Sequence, residues 1–192
     1  MSIGWAIIST GDYADSRGAP GINQAQDAEL VAVCSRDRGR SEAFAEKHGA
    51  KTAYTSGEAV LNDSRVDAVY ITSPNHLHTL YTTMAANAGK HVLVEKPMSL
   101  TVSEGLDMVR GCREQGVKLG VGFHLRHHPG HIEAKRLVAN GTLGTIALAQ
   151  AQIGSGDRGK VSPEPRSGLR DWWTRPELVG GAFATITLGV HC

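Results

Sequence analysis

Short apolar runs alternate with amphipathic segments from the first residues onward. Ile3–Ile8, 30–34, 68–72, His91–Val94 and 118–121 have the length and the Val, Ile and Ala content of buried strands. Helical periodicity falls between them, over 14–24, 38–47, Gly57–Leu61, 76–88 and 102–115. Thr55 with Glu58 and Thr101 with Glu104 have capping-box spacing, while Gly49, Gly89 and Gly116 mark helix ends. Strand–helix–strand units at this rhythm predict an α/β fold, a Rossmann-like doubly wound parallel sheet covered on both faces. Such a sheet takes its ligand at the carboxyl ends of the strands.

After Val121 the pattern changes. Pro129 opens a helix running to Ala139, with Gly141 as its stop, and 146–153 then alternates like a strand. The polar, Gly- and Pro-containing stretch 154–170 has no periodicity and reads as a functional loop, and 180–192 looks helical toward its end. One lone strand builds no sheet. Residues 1–122 are therefore expected to form a nucleotide-binding domain, and 123–192 the incomplete start of an α+β second domain, so that the chain reads as truncated.

Composition narrows the setting. The 192 residues are 41% apolar and 20% charged, as in globular proteins. Lys plus Arg is 20 against 19 Asp plus Glu, a net charge of +1 that removes any bulk attraction to nucleic acid or membrane. No run approaches the roughly 18 apolar residues of a membrane span, and Met1-Ser2-Ile3-Gly4 carries no basic region ahead of an apolar one. Cys34, Cys112 and Cys192 are too few and too scattered for a disulfide framework or a zinc site, which points to a reducing cytoplasmic setting.

Chemistry gathers where strands end. The first strand runs into Ser9-Thr10-Gly11-Asp12-Tyr13-Ala14, a degraded dinucleotide fingerprint with Gly11 at the position where backbone approaches a pyrophosphate. After the second come Ser35, Arg36 and Arg40, a hydroxyl and two guanidinium groups suited to a 2′-phosphate. They favour NADP over NAD, although Asp37 beside them weakens the argument. Strand 68–72 leads into Thr72-Ser73-Pro74-Asn75-His76-Leu77-His78, and His91–Val94 into Glu95-Lys96-Pro97. An ammonium at a strand tip suits proton transfer or the orientation of a hydroxyl, because burial and neighbouring charge tune its pKa. His124, His127, His128 and His131 crowd together, but Pro129 interrupts them and no cysteine or paired carboxylate completes a shell, so no metal site is expected.

Placed in this order, these residues resemble the Gfo/Idh/MocA-type (glucose–fructose oxidoreductase / inositol dehydrogenase) oxidoreductases, and within them the sugar-oxidoreductase branch. The matching strings are 68–78, 89–97, Gly122-Phe123-His124-Leu125-Arg126 with Pro129, Gly141 with Leu143-Gly144, and Gly189-Val190-His191. The resemblance implies an NAD(P)-dependent dehydrogenase or reductase that moves a hydride between the nicotinamide and a sugar or polyol hydroxyl or carbonyl. It makes Lys96 and His191 the catalytic pair. It lines the cofactor with Thr10, Gly11, Asp12, Tyr13, Ser35, Arg36, Arg40, Thr72, Ser73, Pro74, Asn75, His76, His78, Glu95, Lys96 and Arg126. Lys96, His124, Trp172, Thr187 and His191 would face the substrate, and the full-length form would be a homo-oligomer. Thr187 stands where the family often has an Asp that supports the histidine. That departure keeps open an alternative, a dinucleotide-binding chain that is catalytically incomplete.

Overall fold

The computed structural model describes residues 2–151, 172 and 175–181. Six strands form one sheet: β1 (Ile3–Ile8), β2 (Ala28–Cys34), β3 (Thr52–Tyr54), β4 (Ala68–Ile71), β5 (His91–Val94) and β6 (Leu119–Val121). Their order is β3-β2-β1-β4-β5-β6, and every pairing is parallel. The chain winds outward from β1 in both directions, so a crevice opens between the carboxyl ends of β1 and β4. Doubly wound sheets bind ligands at that switch point.

Helices cover both faces: α1 (Ala19–Gln24), α2 (Arg38–His48), α3 (Gly57–Leu61), α4 (His78–Asn87) and α5 (Val102–Glu114). Alternation along the strands divides the core in two. Ile8, Val31, Val69, Ile71 and Val94 meet Val60 and Leu61 of α3, Ala85 of α4 and Met108 of α5. On the other face Ile7, Leu30, Val33 and Tyr70 pack with Ile22 of α1 and Phe44 of α2. Burying each large side chain stabilises by about 1.5–3 kcal/mol, and both layers draw on every central strand. Gly4 sits where β1 grazes the Arg65 carbonyl; a Cβ there would lie 1.9 Å from that oxygen, so only glycine fits.

The fold departs from the sequence reading in five places. β3 had no apolar run to announce it; it has three residues, all half-buried, and is held by β2 alone. Capping of α3 comes from Ser56, whose hydroxyl accepts the Ala59 N–H at 3.2 Å, so Thr55 and Glu58 form no capping box. The Thr101–Glu104 box does form, with both reciprocal bonds present. The helix expected over 14–24 begins as a π-helical turn, Ala14–Gly18, and the one expected over 76–88 begins as a 3-10 turn, Asn75–Leu77. Finally, the described part of the expected strand, 146–151, is irregular, because no neighbouring strand among the described residues fills its hydrogen bonds.

The chain divides into two compact units, Met1–Val121 and Gly122–Cys192. Within the second, α6 (Pro129–Ala139) starts on Pro129 with the His128 imidazole accepting the Gly130 N–H, and Gly141 follows with φ 76°. A short α7 (Pro176–Val179) ends on Gly180. The loop 154–170, Trp173, Thr187 and His191 lie outside the described residues.

Candidate active site

The crevice begins with the turn after β1. Ser9 takes the place of the first fingerprint glycine and adopts its backbone, φ 82°, with its N–H donated to the Cys34 carbonyl at 2.8 Å. Thr72, at the end of β4, donates its hydroxyl to the Ser9 carbonyl at 2.6 Å, which holds the left-handed turn. Thr72 thus builds the turn, its proton being committed to backbone. Gly11 has open space where a side chain would stand. Thr10 is only 9% exposed, and its hydroxyl oxygen has no partner among the described residues. Such an orphaned polar atom costs free energy unless a ligand satisfies it.

At the tip of β2 the cationic cluster is in place. Ser35 is buried, Arg36 and Arg40 are exposed, and the Arg40 guanidinium reaches the Thr10 carbonyl at 3.4 Å. Asp37, exposed beside them, has a structural task. Its carboxylate accepts the Arg40 N–H at 2.7 Å as the N-cap of α2. Burial, helped by the positive charge of Arg36, depresses the pKa of His76, whose Nδ1 is buried without a partner among the described residues. Tyr81 of α4 also feels Arg36. Its ring occupies room left by Gly57, where a Cβ would come within 2.9 Å. Two polar side chains, Asn75 and Ser73, are buried in the loop after β4.

His78 belongs elsewhere. It is 0% exposed, with Nδ1 2.7 Å from the Pro97 carbonyl and Nε2 2.9 Å from that of Ser73. Burial pushes its pKa down, which favours a neutral ring that donates from one nitrogen. The side chain is a strut between the β4 and β5 exits, so both of its ring nitrogens are engaged by the fold itself.

β5 ends in Glu95 and Lys96, followed by Pro97 across a cis peptide bond. Glu95 is buried, with Oε1 accepting the Tyr70 hydroxyl at 2.5 Å and Oε2 the Lys96 backbone N–H at 3.2 Å. Lys96 is half-buried. Desolvation lowers its pKa, and the Glu95 charge opposes that shift. An ammonium in this balance can give up and regain a proton more readily than a lysine in water. Tyr70 was not singled out in the sequence as a functional residue. Its signal was a hydroxyl inside an otherwise apolar buried strand, which must find a partner there.

The profile of an oxidoreductase family with an NAD-binding Rossmann fold, Gfo/Idh/MocA, matches residues 3–123, more than half of the chain. The chain belongs to this family. It is 43% identical over 182 residues to D-xylose 1-dehydrogenase (NADP(+)) 2 of Haloferax volcanii, covering 95% of this chain and 53% of that protein. To 1,5-anhydro-D-fructose reductase of Ensifer adhaerens it is 34% identical over 184 residues, 96% of this chain and 53% of the relative. Among solved structures, a 3-ketoreductase from Actinomadura kijaniata with NADP superposes with a TM-score of 0.70 at 31% identity, over 75% of this chain and 46% of that one. The scyllo-inositol dehydrogenase of Lactobacillus casei with bound NAD(H) has a TM-score of 0.70 at 27% identity, over 75% and 43%. The chain spans about half the length of the curated relatives it matches.

A dinucleotide fits the family's first unit here. The orphaned Thr10 hydroxyl and His76 nitrogen, the open space over Gly11 and the cationic tip of β2 are complementary to hydroxyl and phosphate oxygens. In the second unit His124 and Arg126 are exposed, with the Arg126 guanidinium 5.9 Å from the Phe123 ring centroid, and Trp172 is half-buried. Among the described residues no group of His, Cys, Asp and Glu has the arrangement of a metal site.

Proposed function

We propose that this chain is the coenzyme-binding part of an NADP-preferring oxidoreductase acting on a sugar or polyol. Such an enzyme converts CH–OH and NADP+ into C=O, NADPH and a proton, or runs the reverse. The observation that carries the reading is the half-buried Lys96 at the tip of β5, backed by a buried carboxylate and standing on the side of the sheet where a doubly wound fold seats the second half of a dinucleotide. A bound nicotinamide supplies the hydride acceptor or donor.

The chain's own residues have four tasks. Thr10 and Gly11 receive the pyrophosphate region. Ser35, Arg36 and Arg40 hold a 2′-phosphate, a preference supported by the engagement of Asp37 as a helix cap. Lys96 orients the reacting oxygen, and its lowered pKa lets it share the proton lost from the hydroxyl. On the family resemblance His191 is assigned the general acid/base role and Thr187 a place facing the substrate; His124 and Trp172 are assigned to the substrate and Arg126 to the cofactor. Homologues named for sugar reactions support the substrate class. Buried, unbridged Cys34 and Cys112 agree with a cytoplasmic setting, and the family resemblance carries the homo-oligomer.

Lys96→Met in the full-length protein tests the reading. Turnover on a panel of aldoses and polyols is expected to fall by about 10²–10⁴-fold while NADPH still binds, and more tightly than NADH. Unchanged turnover removes Lys96 from the mechanism. Coenzyme binding by wild-type protein with no turnover on any substrate favours the catalytically incomplete alternative.

A further inference from the structure

Where β5 leaves the sheet, side chains take over from backbone in holding the chain. The Glu95 N–H still donates to the Ile71 carbonyl of β4 at 2.9 Å, but the Lys96 N–H turns to Glu95 Oε2 at 3.2 Å. On the far side of Lys96 the Pro97 carbonyl lies 2.7 Å from Nδ1 of His78, the first residue of α4. Nε2 of the same ring is 2.9 Å from the Ser73 carbonyl, in the loop after β4. One imidazole therefore spans from that loop to the residue that follows Lys96.

Volume alone does not call for a histidine there. The ring is fully buried, and an apolar side chain would fill the space without the cost of burying two nitrogens. Both neighbouring oxygens are carbonyls, which only accept. Burial foremost, with His76 and Lys96 acting the same way, keeps the ring neutral against the pull of those carbonyls, so it has one proton to give. The approach to Pro97 is the shorter of the two and places that proton on Nδ1.

We propose that His78 is a positioning residue for Lys96: donation from Nδ1 to the Pro97 carbonyl fixes the chain just after Lys96 and so holds its ammonium half-buried at the tip of β5. This inference rests on the part given to Lys96 in the proposed function. It concerns one contact of the ring and not the other, which separates it from a general contribution to folding.

Competitive acetylation of the full-length protein with trace acetic anhydride, between about pH 7 and pH 11 and read by peptide mass spectrometry, gives the free-amine fraction of each lysine. An amide in place of the ring separates the two contacts, since the side-chain nitrogen of Asn stands near the position of Nδ1 and that of Gln near Nε2. His78→Gln is expected to release Lys96 to water, raise its pKa toward the ordinary lysine value and lower its free-amine fraction about three- to tenfold near neutral pH. His78→Asn is expected to stay within about twofold of wild type. Lys90, whose ammonium donates to the Asp63 and Val66 carbonyls at 3.1 and 2.7 Å, is the control for unfolding and should label as in wild type. An unchanged Lys96 curve in His78→Gln, an equal change in His78→Asn, or a parallel change at Lys90 overturns the positioning role alone. Wild-type Lys96 that titrates like an exposed lysine, or wild-type protein to which NADPH shows no binding by fluorescence, overturns the reading beneath it, and the positioning role falls with it.

Discussion

Charged residues in this molecule divide into those that close the fold and those left for a ligand. Asp63 belongs to the first group. Its carboxylate accepts from the Tyr54 hydroxyl at 3.0 Å and from the Arg65 guanidinium at 2.9 and 2.6 Å, which ties the segment before β4 to the edge strand β3. The Arg65 charge and hydrogen bonds hold its carboxyl well below the usual carboxylate range. A depressed carboxyl contributes stability that is present above its unfolded pKa, near 4, and is lost as pH falls toward its folded value. Wild-type Tm should therefore decline as pH drops below about 4. Asp63→Asn should have a lower Tm at pH 7 and a shallower decline on acidification, as followed by circular dichroism. Parallel pH curves for the two proteins would contradict this assignment. Lys96, half-buried at the tip of β5, is the charged residue that the proposed function assigns to a ligand, and its burial works against its own charge.

Helix starts show how far local sequence reaches. Both α3 and α5 follow a Thr-x-x-Glu string, but only Thr101 caps, because α3 begins one residue later, on Ser56. Ser56→Ala should destabilise by about 1 kcal/mol and Thr55→Ala by close to nothing, as read from denaturant midpoints. A larger loss at Thr55 would restore the box. Strands β1, β4 and β5 were legible because they are central, and both of their faces must be apolar. β3 was not, since an edge strand of three half-buried residues owes its conformation to the Cys34 and Ala32 backbone beside it. The same limit applied to the site. Lys96, Arg36 and Thr10, all assigned to the proposed site, are legible as candidates from their positions at strand ends. The Tyr70–Glu95 bond joins two distant stretches of chain that only the sheet order makes adjacent. The structural part that His78 plays was hidden for a related reason. Its string matched a coenzyme loop, while its two carbonyl partners come from opposite sides of the next helix–strand unit.

At the scale of the molecule, the first unit carries one arrangement: cationic and hydroxyl groups at β2, an open turn at β1, and a carboxylate-backed lysine at β5, all along one edge of a six-stranded parallel sheet. In the proposed function one dinucleotide spans that edge, with its nicotinamide end beside Lys96. Amine modification tests it directly. The protein is treated with formaldehyde and cyanoborohydride, and methylation at Lys96 is followed by peptide mass spectrometry. Saturating NADPH should slow methylation of Lys96 at least tenfold, whereas saturating 2′,5′-ADP, which fills only the β2 end, should leave its rate unchanged. A Lys96 rate that NADPH does not alter would contradict the account.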